Sequence, residues 1–125
     1  MIKSYELLKI IQFLEEHGIK NYSINEDGIV DVDGNVDLSD KNLTSIPVQF
    51  GKVGGAFYCS RNHLTTLEGA PRSVGGWFGC SHNQLTTLKG APQSVRRAFY
   101  CRNNKKKFTE QEVRELREVG GSIYC

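Results

Sequence analysis

No stretch of this 125-residue chain stays apolar for anything near the ~20 residues that a bilayer-spanning helix needs. The N-terminus does not read as a secretory leader either. Met1 to His17 carries Glu6, Glu15 and Glu16 among its apolar residues, and no small-residue cleavage site follows. Asn21-Tyr22-Ser23 and Asn42-Leu43-Thr44 match the glycosylation sequon, but without a leader they read as chance. The expected compartment is therefore the cytoplasm, where the four cysteines stay thiols. Neither sign of charge is in large excess: 16 Lys and Arg against 14 Asp and Glu leave a net +2, which by itself names no partner. No serine elbow, phosphate-cradling loop or pair of acids in one pocket can be picked out, so the chain reads as a non-enzyme without a cofactor.

What is present is a single domain's worth of sequence, residues 1–125, 38% hydrophobic and 24% charged. A core of that size holds together without disulfides or metal. The charge is unevenly placed. Glu26, Asp27, Asp31, Asp33, Asp37 and Asp40 crowd an early stretch, and Arg96, Arg97, Arg102, Lys105, Lys106 and Lys107 a late one. An acidic end and a basic end follow.

The dominant signal is an internal repeat. Leu64-Thr-Thr-Leu67-Glu-Gly-Ala-Pro71 recurs as Leu85-Thr-Thr-Leu88-Lys-Gly-Ala-Pro92, an offset of 21 residues. The same offset links Val53, Val74 and Val95; Phe57, Phe78 and Phe99; Cys59, Cys80 and Cys101; and Asn62, Asn83 and Asn104. Val32 to Leu38 is a fainter copy upstream, with Leu43 aligned on Leu64 and Ile46 on Leu67. Val119-Gly-Gly-Ser-Ile123-Tyr-Cys125 is a copy downstream, arriving after 24 residues. Five strand units therefore begin at Val32, Val53, Val74, Val95 and Val119. The last repeat departs from the pattern: Arg97 replaces the second Gly, Arg102 replaces Ser, and Lys106 stands where Leu64 and Leu85 stand.

A period in the twenties with Leu-x-x-Leu and a fixed Asn is the leucine-rich-repeat pattern. Phe57 and Cys59 then alternate inward on a short strand, and Leu64 and Leu67 fill the core. Asn62 turns its amide onto the backbone of the bend, and the equivalent Asn residues form a ladder at the ~4.8 Å strand spacing. Gly69-Ala70-Pro71 returns the chain. The expected fold is an α+β solenoid, leucine-rich-repeat-like, with about five short parallel strands, one per repeat.

These repeats resemble the small leucine-rich-repeat-like proteins of tailed bacteriophages, which share Phe-x-Cys-Ser-x-Asn-x-Leu-Thr-Thr-Leu-x-Gly-Ala-Pro. Residues 19–34 resemble the usual opening segment of that family. The resemblance implies the fold and a phage origin, and hence the cytoplasm of a host cell. It implies no particular activity, because fold does not fix function.

A solenoid needs capping at both ends. Residues 1–31 form the first cap. Tyr5 to His17 reads as a helix, with Leu7, Ile10, Ile11 and Leu14 on one face and Gly18 at its end. Tyr22-Ser-Ile24 and Ile29-Val-Asp-Val32 read as a hairpin around Asn25-Glu-Asp-Gly28. After the repeats at 32–107, residues 108–125 form the second cap. There Thr109 and Glu112 make a capping box, and Phe108 and Val113 an apolar staple, for a helix from Thr109 to Glu118. A final strand then ends at Cys125, so the chain reads as complete.

The candidate sites divide between chemistry and binding. The cysteines lie one per repeat in a single column, as small core residues do, not convergent as zinc ligands are. Asp31-x-Asp33-Gly34-Asn35-x-Asp37 begins like a calcium loop, but position 12 is Asn42 where a bidentate Glu is needed, so no metal is expected. His63 and His82 are not at equivalent positions. More telling are the residues expected to point outward beside each Phe and Cys: Ala56 and Tyr58, Trp77 and Gly79, Ala98 and Tyr100, Ser122 and Tyr124. Tyr58, Gly79, Tyr100 and Tyr124 share a column, and Gly79 leaves a notch bordered by the lone Trp77. An exposed Trp among tyrosines has the composition of an interface hot spot. The binding residues are therefore read as Trp77, Tyr58 and Tyr100, with Arg96, Arg97 and Arg102 beside them. The reading is a protein-binding module that binds and inhibits a host protein, such as a component of antiviral defence. The alternative is a nucleotide- or nucleic-acid-binding protein using the same aromatic and basic face.

Overall fold

The computed structural model describes residues 1–125. Helix α1 (Ser4–Glu16) opens the chain and ends where Gly18 takes a left-handed turn at φ +65°. Strands β1 (Tyr22–Ile24) and β2 (Ile29–Val32) follow as the expected hairpin and are the only antiparallel pair. Asn25 sets the turn between them, its Oδ1 accepting from the Asp27 and Ile29 N–H groups at 2.9 Å.

Beyond the hairpin the chain is a β-solenoid of about five turns. Each turn carries two short strands, where the sequence reading placed one, and so builds two sheets. Continuing from β1 and β2, the first sheet adds β4 (Gln49–Val53), β6 (Ser73–Val74), β8 (Ser94–Val95) and β10 (Glu118–Val119). The second stacks β3 (Val36–Asp37), β5 (Phe57–Tyr58), β7 (Phe78–Gly79), β9 (Phe99–Tyr100) and β11 (Ile123–Tyr124). The Gly-Gly step between Val and Phe is where the chain bends from one sheet into the other. Backbone passes so close to backbone there that a Cβ on Gly75 would collide with the Gly54 carbonyl, and one on Gly120 with the Arg96 carbonyl. The register repeats the 21-residue offset: Val53, Val74 and Val95 pair in sequence in the first sheet, and Phe57, Phe78 and Phe99 in the second. The longer final spacing holds α2 (Glu110–Leu116), after which Val119 still pairs with Val95.

One apolar cluster runs from Leu14 in α1 to Val113 in α2. Phe57, Phe78 and Phe99 stack through it at centroid distances of 5.9 and 5.1 Å, and Phe50 meets Phe57 edge-on at 5.2 Å. Leu64, Leu67 and Leu85 are fully buried. The Asn ladder forms as expected. Asn83 accepts from the Leu64 N–H at 3.0 Å and donates to the Cys59, Cys80 and Ser81 carbonyls at 3.0–3.3 Å. Asn62 and Asn104 repeat the arrangement one turn either side.

At the far end the capping box is present, Glu112 N–H donating to Thr109 Oγ1 at 3.1 Å while the Thr109 N–H reaches the Glu112 carboxylate at 3.3 Å. Phe108 and Val113 are both buried. Lys106 keeps the stacking bond from its N–H to the Leu85 carbonyl but turns its ammonium out to Glu112 at 2.7 Å. Arg114 covers the carbonyls of Val119 and Gly121 at 3.2 and 3.1 Å, partly capping the last turn of the first sheet. No helix is long and apolar enough to cross a membrane.

Candidate binding face

The register of the second sheet builds this face in columns. Asp37, Tyr58, Gly79, Tyr100 and Tyr124 stand one per turn, neighbours in the ladder. Two residues further along each turn stand Ser39, Ser60, Ser81 and Arg102. Two residues earlier stand Asn35, Ala56, Trp77, Ala98 and Ser122. Ala56 and Ala98 lie outside the core cluster in this column but are buried, because a methyl group is too short to emerge between longer neighbours. Trp77, in the same column, remains 41% exposed.

Between these columns runs a groove of about 520 Å³. Tyr58, Trp77, Gly79 and Tyr100 line it, as the sequence placed them, together with Asp37 and His82. Gly79 is essential to its shape, because a Cβ there would stand 3.0 Å from the Tyr58 ring. Tyr58 thus leans into the notch instead of framing it at a distance. Burial, then the nearby Tyr100 and Asp37, raise the Tyr58 hydroxyl above its ordinary pKa. Tyr100 and Tyr124 stack in parallel at 4.8 Å. Arg97 lies over the Trp77 ring at 5.4 Å and Arg102 over the Tyr124 ring at 5.4 Å, both exposed.

Arg96 does not join them. It points to the opposite side of the solenoid, into a larger groove of about 930 Å³ on the first sheet with Lys52, Ser94, Arg114 and Arg117. The two arginines there that belong to α2 and its end are committed to structure: Arg114 to the last-turn carbonyls and Glu110, Arg117 to the Ala91 and Leu88 carbonyls. Sequence reasoning missed this groove because the docking angle of α2 has no repeat signature. It also missed Asp37, Arg61, His82 and the Ser39-Ser60-Ser81 row as groove residues. The signal for the serines was available in the 21-residue offset. Arg61 forms a bidentate pair with Asp40 at 2.9 Å, which holds the Asp40 carboxyl below its usual range. His82 meets only Asn103, at 3.2 Å, and that contact is one turn along the column.

Three of the four thiols are shielded from solvent. Cys59, Cys80 and Cys101 are buried, and Cys59 and Cys80 donate to the Gly79 and Tyr100 carbonyls at 3.4 Å. Burial pushes the Cys59 thiol up to about 12, and burial followed by the Cys125 neighbour does the same to Cys101. Cys125 is half-buried. No three His, Cys, Asp or Glu side chains converge as a metal-holding group. In the early acidic stretch Asp31 accepts from the Lys52 N–H and Asn35 from the Ala56 N–H, both at 2.8 Å, so these side chains substitute for backbone acceptors at the first turn. Compared with protein-family models, with curated proteins and with solved structures, the chain matches none.

Proposed function

We propose that this chain is a protein-binding module that acts by binding and inhibiting another protein through the Trp77 groove. The observation that carries the reading is Trp77, the only tryptophan in the chain, 41% exposed beside the Gly79 notch that separates Tyr58 from Tyr100. Large exposed aromatics over a small notch are the anchors that supply most of the energy at protein interfaces. Buried thiols and a His82 without an acidic or nucleophilic partner favour binding over catalysis. The resemblance of the repeats to phage leucine-rich-repeat-like proteins makes the target a host protein, with a component of antiviral defence as the class to test first, and the host cytoplasm as the place of action.

Paired affinity capture tests this: wild-type chain and the Trp77→Ala variant as baits in host lysate, read by mass spectrometry. A host protein retained by the first and lost by the second supports the reading, and equal retention by both sinks it.

A second reading is favoured by the guanidinium groups over the rings. Arg97 on Trp77 and Arg102 on Tyr124 place cations beside stacking surfaces, as nucleotide- and nucleic-acid-binding faces do. Arg96 on the opposite side leaves this cluster one cation short. Titrating single-stranded oligonucleotide at rising salt separates the two readings, since phosphate binding weakens steeply and linearly in log salt.

A further inference from the structure

The groove at Trp77 is electrically polarised along the solenoid axis. Asp37 stands at its first turn, exposed and outside every salt bridge of the chain. Arg97 and Arg102 both belong to the fourth turn, Arg97 bordering the groove over the Trp77 ring and Arg102 just past its Tyr100 edge over the Tyr124 ring; both are exposed and unpaired by any carboxylate. The charges between them cancel, because Arg61 is held by Asp40. The middle is aromatic, with Tyr58, Trp77 and Tyr100, and is edged by the hydroxyls of Ser39, Ser60 and Ser81. From the turn of Asp37 to that of Arg102 is three rungs of ~4.8 Å, about 14 Å. An extended peptide covers that distance in four to five residues at ~3.3 Å each.

Resting on the protein-binding reading above, we infer that the groove takes an extended peptide segment of its partner that is dipolar: a basic residue against Asp37, an apolar or aromatic anchor against Trp77 and Gly79, and an acidic residue against Arg97 and Arg102, within about five residues. Complementary charge at each end fixes the register of the segment, and the anchor supplies the affinity. A uniformly acidic segment meets Asp37, and a uniformly basic one meets the two arginines, so both are rejected by an unpaired like charge.

The test uses the lone tryptophan as its reporter. Three blocked pentapeptides, Lys-Gly-Phe-Gly-Glu, Glu-Gly-Phe-Gly-Glu and Lys-Gly-Phe-Gly-Lys, are titrated into the full chain while Trp77 fluorescence and its indole N–H resonance are followed. The dipolar peptide is expected to bind about tenfold or more tighter than either other one. With Asp37→Lys the all-acidic peptide should overtake it, and with Arg97→Glu the all-basic peptide should gain. Equal binding of all three by the wild-type chain overturns the dipolar preference while leaving the groove a binding face. Binding of none overturns the inference outright. The paired capture with Trp77→Ala then decides separately whether the groove binds protein at all.

Discussion

Asn83 satisfies one backbone N–H and three carbonyls with a single amide, across two turns of the solenoid. Removing it leaves the buried Leu64 N–H without an acceptor, at a cost of about 1–3 kcal/mol, while the Cys59, Cys80 and Ser81 carbonyls keep donors from Asn62, Asn104 and the Arg61 N–H. Asn83→Ala is therefore expected to lose about 1–3 kcal/mol in urea unfolding. Leu85, fully buried two residues on, should lose about 2–5 kcal/mol as Leu85→Ala, and a loss near zero would mean the repeat phase is wrong. The thiol column gives a pH signature. Cys59 is an acid whose folded pKa of about 12 lies above its ordinary value of 9.0, so above pH 9 the unfolded chain releases a proton that the folded chain keeps. Stability from this group is whole below pH 9 and falls as pH rises through 9 to 12, by up to ~1.4 kcal/mol per unit. Cys59→Ala should flatten the alkaline limb of the stability profile relative to wild type. A profile of unchanged slope would mean the thiol is not desolvated. Cysteine, asparagine and leucine positions were all legible in the sequence, because a residue that recurs in three copies at one offset marks a shared environment.

At the scale of elements, the caps were legible to within a residue or two for physical reasons. Helix α1 has a four-residue apolar stripe and a left-handed glycine, and α2 has a box that satisfies its own first turn. Thr109→Ala, which removes the oxygen accepting from the Glu112 N–H, should cost about 1 kcal/mol in thermal or urea unfolding. The strands were legible as units but not as pairs. Runs of two residues, such as Phe78–Gly79, are too short for alternation to register, and the Gly-Gly bend reads as a continuation until the neighbouring backbone is seen beside it. The same bend explains the separation of Arg96 from Arg97. Adjacent in sequence and counted as one cluster, they straddle the junction of the sheets and serve opposite faces.

At the scale of the molecule, stacking turns a gradient along the sequence into a gradient along an axis. Asp37 of the first turn lines one end of the groove, and Arg97 and Arg102 of the fourth flank the other, with the aromatics between. The groove's column was readable from Tyr58, Gly79 and Tyr100, but its acidic end was not, because Asp37 was counted with a solvated cluster and not with the column it heads. Because the whole scaffold is local contacts between neighbouring turns, a surface side chain such as Trp77 can be removed without reaching the core. The most direct test of the binding reading is therefore a paired measurement on Trp77→Ala: urea unfolding of the chain, and a titration against the captured partner. Stability within about 0.5 kcal/mol of wild type, with binding weakened by ~2 kcal/mol or more, is the expected result. Normal binding by the variant would contradict the account and move the partner to another surface.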